Sequence, residues 1–198
     1  MSFRPSSLAW TLCLLGLLSV LGLYLSLPSK PQTEGIVTAG GVGGPFTLTD
    51  QDGKTVTEKS WPGQYMLVYF GFTHCPDVCP TGLNKIAEAL NSLPADKVAK
   101  IQPILITVDP ARDTAADLKV YVSLFHPKLI GLTGTDAQIE AAKSAYKVYA
   151  QKQGTGPDYM VNHSAFTYLL NPYGEMVGLY SHDISLDDMS KQLNQAIK

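Results

Sequence analysis

From about residue 45 onward the spacing of apolar positions changes period several times, and each change predicts an element. Phe46-Thr47-Leu48-Thr49 and Lys54-Thr55-Val56-Thr57 alternate on either side of the turn-forming Asp50-Gln51-Asp52-Gly53, which predicts a β-hairpin. Met66 to Phe72 (MLVYFGF) is a short, nearly all-apolar run, the pattern of a strand buried on both faces. Leu83, Ile86, Ala87, Leu90 and Leu93 then recur at three- and four-residue steps, predicting an amphipathic helix that stops before Pro94. The alternation continues with a strand over Ile101 to Val108, a helix over Thr114 to Phe125, a short strand over Leu129 to Thr133 and a helix over Asp136 to Tyr149. Gln151 to Asp158 reads as a Gly- and Pro-bearing loop. Beyond it, Ser164 to Leu170, the turn Asn171-Pro172-Tyr173-Gly174 and Met176 to Tyr180 predict a second hairpin, and Leu186 to Ile197 a closing helix. The order ββ-βα-βα-βα-ββ-α is that of an α/β domain with a partly parallel sheet.

The first 44 residues follow a different pattern. Leu8 to Leu27 are apolar or small and uncharged, and twenty residues at about 1.5 Å each reach roughly 30 Å, one hydrocarbon thickness. The stretch exceeds the apolar core of a cleaved signal peptide and is followed by Pro28-Ser29-Lys30 instead of a small-x-small site, so an uncleaved anchor is expected. Arg4 and the amino terminus against Lys30 lean toward an N-terminus inside. Residues 28–44, with five Gly, two Pro and no aromatic residue, read as a tether. The expected organisation is a short cytoplasmic N-terminus (1–7), a transmembrane anchor (8–27), a flexible linker (28–44) and one folded domain (45–198). The domain would lie in a bacterial periplasm, with the anchor in the inner membrane.

Composition narrows the function. The chain has 198 residues, room for one domain of ordinary size, and 15 Lys plus Arg against 17 Asp plus Glu without a basic cluster, which argues against a nucleic-acid partner. Three cysteines are too few for a disulfide scaffold. Cys13 lies inside the predicted span, whereas Cys75 and Cys79 stand four positions apart where a buried strand hands over to a helix. An α/β sheet presents reactive groups at that kind of place.

Pro80 suits a first helical turn, so Cys79 falls near a helix start, where unpaired amides and the dipole favour thiolates; both cysteines are expected to ionise readily. At i and i+4 on a helical winding, two side chains share a face with Cβ atoms about 5 to 6 Å apart, near enough to bind one ion or, after adjustment, to join as a disulfide. A static bridge would close too short a loop to add much stability. Of the four histidines, His163 stands just before the strand Ser164 to Leu170 and would meet the cysteines if that strand neighbours Met66 to Phe72. His74, His126 and His182 read as ordinary histidines. Residues 158–170 contain no proline, unlike the strand that faces the cysteines in a thioredoxin-type oxidoreductase, so a ligand role fits His163 better than a peptide clamp. Two thiolates and one imidazole are too few for structural zinc, while soft sulfur selects Cu(I) and the imidazole accommodates Cu(II), making copper the expected metal. Asp113-Thr114 can cap the following helix, Arg112 can pair with a carboxylate, and Asp109 can steer protons or a partner at the site. Met160, near His163, is the one methionine placed to matter.

Gly71-Phe72-Thr73-His74-Cys75-Pro76-Asp77-Val78-Cys79-Pro80, then Val108-Asp109-Pro110-Ala111-Arg112-Asp113-Thr114, then Gly131-Leu132-Thr133-Gly134, then His163-Ser164, resemble in order the Sco (SenC) family of copper chaperones, across about residues 45 to 197. The resemblance implies a thioredoxin-like fold with an added N-terminal β-hairpin behind a single membrane anchor, with copper held by Cys75, Cys79 and His163. It further implies a role in building the CuA centre of cytochrome c oxidase, with subunit II as acceptor, another periplasmic copper chaperone as a source and a thioredoxin-like protein as reductant. The family usually has Asp before the ligand histidine. Here Asn162 stands there, expected to orient the ring by a hydrogen bond while offering no charge to the metal. The alternative from another class is a thiol-disulfide oxidoreductase in which Cys75 attacks and Cys79 resolves. A peroxiredoxin fits less well, because its reactive cysteine follows Thr by three positions and here Thr73 precedes Cys75 by two.

Overall fold

A computed structural model describes residues 41–198 of the protein. The anchor expected over 8–27 and most of the tether lie outside the described residues. Among the described residues no helix is long and apolar enough to cross a membrane.

Among the described residues nine strands and five helices follow in the order β1 (Thr47–Asp50), β2 (Thr55–Thr57), β3 (Tyr65–Gly71), α1 (Val78–Ser92), α2 (Ala95–Ala99), β4 (Ile101–Thr107), α3 (Ala115–Ser123), β5 (Ile130–Thr133), α4 (Asp136–Tyr146), β6 (Ala150–Gln153), β7 (Met160–His163), β8 (Phe166–Leu170), β9 (Met176–Ser181) and α5 (Leu186–Ala196). Seven strands form one sheet in the order β2-β1-β5-β4-β3-β8-β9. β3, β4 and β5 run parallel, as the β-α alternation predicts, while the hairpin β1–β2 and the strands β8 and β9 pair antiparallel. Every residue of β3 and of β4 is buried, so these two continuous apolar strands sit at the centre of the core.

Local chemistry sets the boundaries. α1 stops where Leu93 precedes Pro94, and the Leu93 N–H bonds to the Leu90 carbonyl. Thr114 and Asp117 form a capping box at the start of α3, and Thr135 with Gln138 another at the start of α4. Gly131 in β5 lets α3 lie close, since a Cβ there would stand 2.8 Å from the Leu118 Cβ.

Two expectations are corrected. The helix expected to run to Tyr149 ends at Tyr146, because Lys147 takes a left-handed conformation (φ 57°) and the Val148 N–H turns back to the Lys143 carbonyl. The expected loop over Gln151 to Asp158 instead contributes to a separate two-stranded ribbon, β6 pairing antiparallel with β7 from Ala150 opposite His163 to Gln153 opposite Met160. Its outer strand, AQKQ, is exposed and lacks the apolar alternation that marks a strand in sequence. The short helix α2 after Pro94 is too brief to show a period.

The register places the site. Gly71 at the end of β3 lies opposite Thr107 at the end of β4, so the cysteine segment and the turn from Val108 to Thr114 leave the sheet at one edge. β8 runs back beside β3 with Thr167 opposite Tyr69, which brings the residues just before Phe166 to the same edge.

Candidate metal centre

The cysteine segment leaves β3 through Gly71. A Cβ at this position would stand 3.0 Å from both the Cys79 Sγ and the Tyr69 ring, so the absence of a side chain is what lets the first turn of α1 close over the strand. Thr73 then anchors the loop: its N–H and its hydroxyl both donate to the Asp113 carboxylate, at 3.0 and 2.6 Å. Asp113 is fully buried and also accepts from the Thr107 hydroxyl at 2.7 Å. The cap expected of Asp113-Thr114 therefore divides between the two: Thr114 caps α3, and Asp113 ties the β4–α3 turn to the cysteine loop.

Cys75 is partly exposed and Cys79 fully buried, and both are free thiols. The Cys79 N–H points at the Cys75 Sγ (3.4 Å), the interaction expected at a helix start. Cys79 Sγ lies 3.4 Å from His163 Nε2, and the ligand atoms of Cys75, Cys79 and His163 all fall within 4.8 Å of one another. His163 Nδ1 lies 3.1 Å from the Ser164 carbonyl. A carbonyl can only accept, so Nδ1 carries the proton and the Nε2 lone pair faces the sulfurs, the tautomer a metal needs. The ring stands edge-on to Phe72 and Tyr69, with centroids 5.8 and 6.5 Å away. Asn162 is exposed, and the hydrogen bond expected from it is supplied by Ser164 instead.

The two thiols are not equivalent, which corrects the expectation that both ionise readily. Cys75 is held well below the ordinary thiol range, at about 3, first by the hydrogen bond it receives from the Cys79 thiol; burial opposes this, and the N–H groups of Asp77 and Cys79 add to it. Cys79 is pushed far up, first because its proton is held by the Cys75 thiolate and then by burial. One proton serves the pair and resides on Cys79. Because a lowered value keeps the thiolate down to about pH 3, alkylation of Cys75 is expected to keep a nearly constant rate between about pH 5 and 8, where an ordinary thiol slows roughly tenfold per unit. Mass mapping of the Cys75 peptide measures this. Cys79→Ala, which removes the leading cause, should restore a steep pH dependence, and a steep dependence already in the unaltered protein would contradict the assignment.

The remaining histidines lie elsewhere. His74 Nδ1 donates to Thr73 Oγ1 (2.9 Å), buried His126 accepts from the Lys128 N–H (3.1 Å), and the His182 carbonyl accepts from Lys85. Asp109 and Arg112 do pair (2.6 Å), and Tyr159, which sequence reasoning passed over, donates to Asp109 at 2.5 Å. Asp113 was invisible as an anchor because its partner Thr73 lies forty residues away. A lone tyrosine in a Gly/Pro stretch was the available signal for Tyr159.

A family model described as SCO1/SenC matches residues 36–198. The chain belongs to the SCO1/SenC family. An SCO2-like protein of Rickettsia felis is 41% identical over 192 residues, covering 92% of this chain and 91% of its own. The chain spans about half the length of the mitochondrial relatives from Arabidopsis thaliana (48%) and Saccharomyces cerevisiae (53%). Among solved structures, Arabidopsis thaliana ScoI with copper bound superimposes with a TM-score of 0.73 at 41% identity, over 79% of this chain and 98% of that one. BsSco, described as a member of the Sco family of cytochrome c oxidase assembly proteins and as having a disulfide switch, superimposes at 0.62 and 28% identity, over 77% of this chain and 91% of its own. The thioredoxin-like α/β fold of the SCO1/SenC family is thus the fold of this domain.

Proposed function

We propose that this protein is a membrane-anchored copper chaperone that binds copper through Cys75, Cys79 and His163 and assists assembly of the CuA centre of cytochrome c oxidase. The observation that carries the reading is the convergence of two sulfurs and one correctly tautomerised imidazole nitrogen within 4.8 Å at one sheet edge. The donor set suits copper: the thiolates favour Cu(I) and the imidazole accommodates Cu(II). Relatives with copper bound, and a relative of the oxidase-assembly family, support it. The Cys75 thiolate is the first group to engage the ion. Cys79 then gives up the shared proton, and His163 Nε2 offers its lone pair without rearranging. Cys75 is the more exposed thiol, so an acceptor's ligand reaches this side first and exchange proceeds by replacing one protein ligand at a time.

In this reading residues 8–27 hold the chain in the bacterial inner membrane, 28–44 tether it, and the domain from 45 works in the periplasm. Oxidase subunit II is the acceptor, and a second copper chaperone and a thioredoxin-like reductant are further partners. The asymmetry of the thiols supports one second reading, reduction of the acceptor's cysteines, with Cys75 attacking a disulfide and Cys79 displacing it.

Anaerobic titration of the reduced full-length chain tests the first reading. It should take up one copper per chain as Cu(I) or Cu(II), show a sulfur-to-copper charge-transfer band for Cu(II), and pass the ion to a soluble CuA domain. Binding of neither ion, with the dithiol still reducing that domain's disulfide, would leave the reductase in its place.

A further inference from the structure

The ribbon β6–β7 carries His163 at the end of β7, yet it is not hydrogen-bonded into the seven-stranded sheet. Two strands alone are marginally stable in water, so the place of the imidazole depends on what holds the ribbon down. At its base Ser164 N–H donates to the Tyr149 carbonyl (2.9 Å). Near its tip most side chains face solvent, and the exception is Tyr159, 8% exposed. Tyr159 Oη donates to Asp109 Oδ1 at 2.5 Å, and the other oxygen of that buried carboxylate accepts from Arg112 Nε at 2.6 Å. The Arg112 guanidinium lies 3.6 Å from the Tyr159 ring centroid, and its Nη1 donates to the Pro157 carbonyl at 3.2 Å. Arg112 therefore grips the ribbon by both a side chain and the backbone.

We propose that the Asp109–Arg112 pair and Tyr159 form a bracket that fixes where the His163 imidazole stands relative to the two thiols, so that all three are positioning residues of the metal-binding set. This rests on the copper reading above. The turn that carries Asp109 and Arg112 also carries Asp113, which holds Thr73 of the cysteine loop. One turn thus references both halves of the site: Asp113 sets the sulfurs and the bracket sets the nitrogen. Geometry is the better account of the pair, because a buried ion pair gives little net stability over an apolar replacement of the same shape, while its directional contacts reach a segment that the main sheet does not hold.

The test uses the full-length chain with Tyr159→Phe, which removes only the hydroxyl, and Asp109→Asn, which keeps the shape and removes the charge. In the metal-free protein, amide exchange across residues 150–163 should accelerate roughly tenfold, as expected for one lost buried hydrogen bond, while β3 and β4 stay as protected as before. Cu(II) affinity should fall about tenfold. When Tyr159→Phe is added to His163→Ala, Cu(I) affinity should not change further, because the bracket acts only through the imidazole. Unchanged exchange in the ribbon would overturn the proposal, and so would an equal loss of Cu(I) affinity with and without His163. If the unaltered chain binds no copper, the copper reading fails and amide exchange alone decides the bracket.

Discussion

His163→Ala is expected to separate the two chemistries of the site. Cu(II) affinity should drop more than about a hundredfold, with loss of the charge-transfer band, because the substitution removes the one nitrogen donor and leaves two sulfurs that favour Cu(I). Cu(I), still held by Cys75 and Cys79, should bind within about tenfold of the unaltered protein. Reduction of a disulfide should survive within about threefold, because the leading cause of the Cys75 thiolate is the hydrogen bond from Cys79, which the substitution leaves in place. Parallel copper titrations and dithiol-exchange rates check this. A charge-transfer band that persists without the imidazole would remove His163 from the ligand set, and loss of disulfide reduction would show that the thiolate depends on the ring.

The second large effect is expected at a residue that touches no metal. Asp113→Ala removes three hydrogen bonds to a fully buried carboxylate and strands the Thr73 N–H and the hydroxyls of Thr73 and Thr107. Bonds to charged groups contribute about 1.5–3 kcal/mol each and are not additive, so a loss of about 3 kcal/mol is reasonable. For a chain of this size that lowers Tm by roughly 6–12 °C. Asp113→Asn keeps one acceptor oxygen and should lose less than half as much. Because Thr73 is two residues from Cys75, the alanine variant should also loosen the cysteine loop, visible as faster amide exchange over residues 72–77. A thermal scan that places Asp113→Ala within about 1 °C of the unaltered protein would refute the anchoring role.

The site was legible in sequence to the extent that its chemistry is local. Cys75 and Cys79 declare themselves by spacing and by lying between a continuous apolar strand and a helix that Pro80 helps to start. His163 declares itself by preceding a strand that could neighbour β3, and β8 does pair there. The parallel centre of the sheet follows from β3 and β4 alone, since runs such as YMLVYFG and IQPILIT are apolar enough for burial on both faces. The ribbon was not legible, because AQKQ exposes polar side chains and is a strand only by virtue of its partner β7.

What the sequence determined by itself is therefore what nearest neighbours along the chain decide: periods of burial, caps, turns, and which residues carry soft or titratable atoms. Only the tertiary structure decided how those atoms differ once assembled. Two cysteines alike in sequence become one thiolate and one thiol, because one is buried and their single proton is shared. An aspartate that could have been a cap becomes an anchor, because Thr73 is folded against it. A tyrosine in a glycine-rich stretch becomes part of the support for His163, because Asp109 and Arg112 are waiting at the sheet edge. Proton positions and hydrogen-bond partners depend on distances between residues far apart in the chain, and those distances exist only after the sheet has set its register.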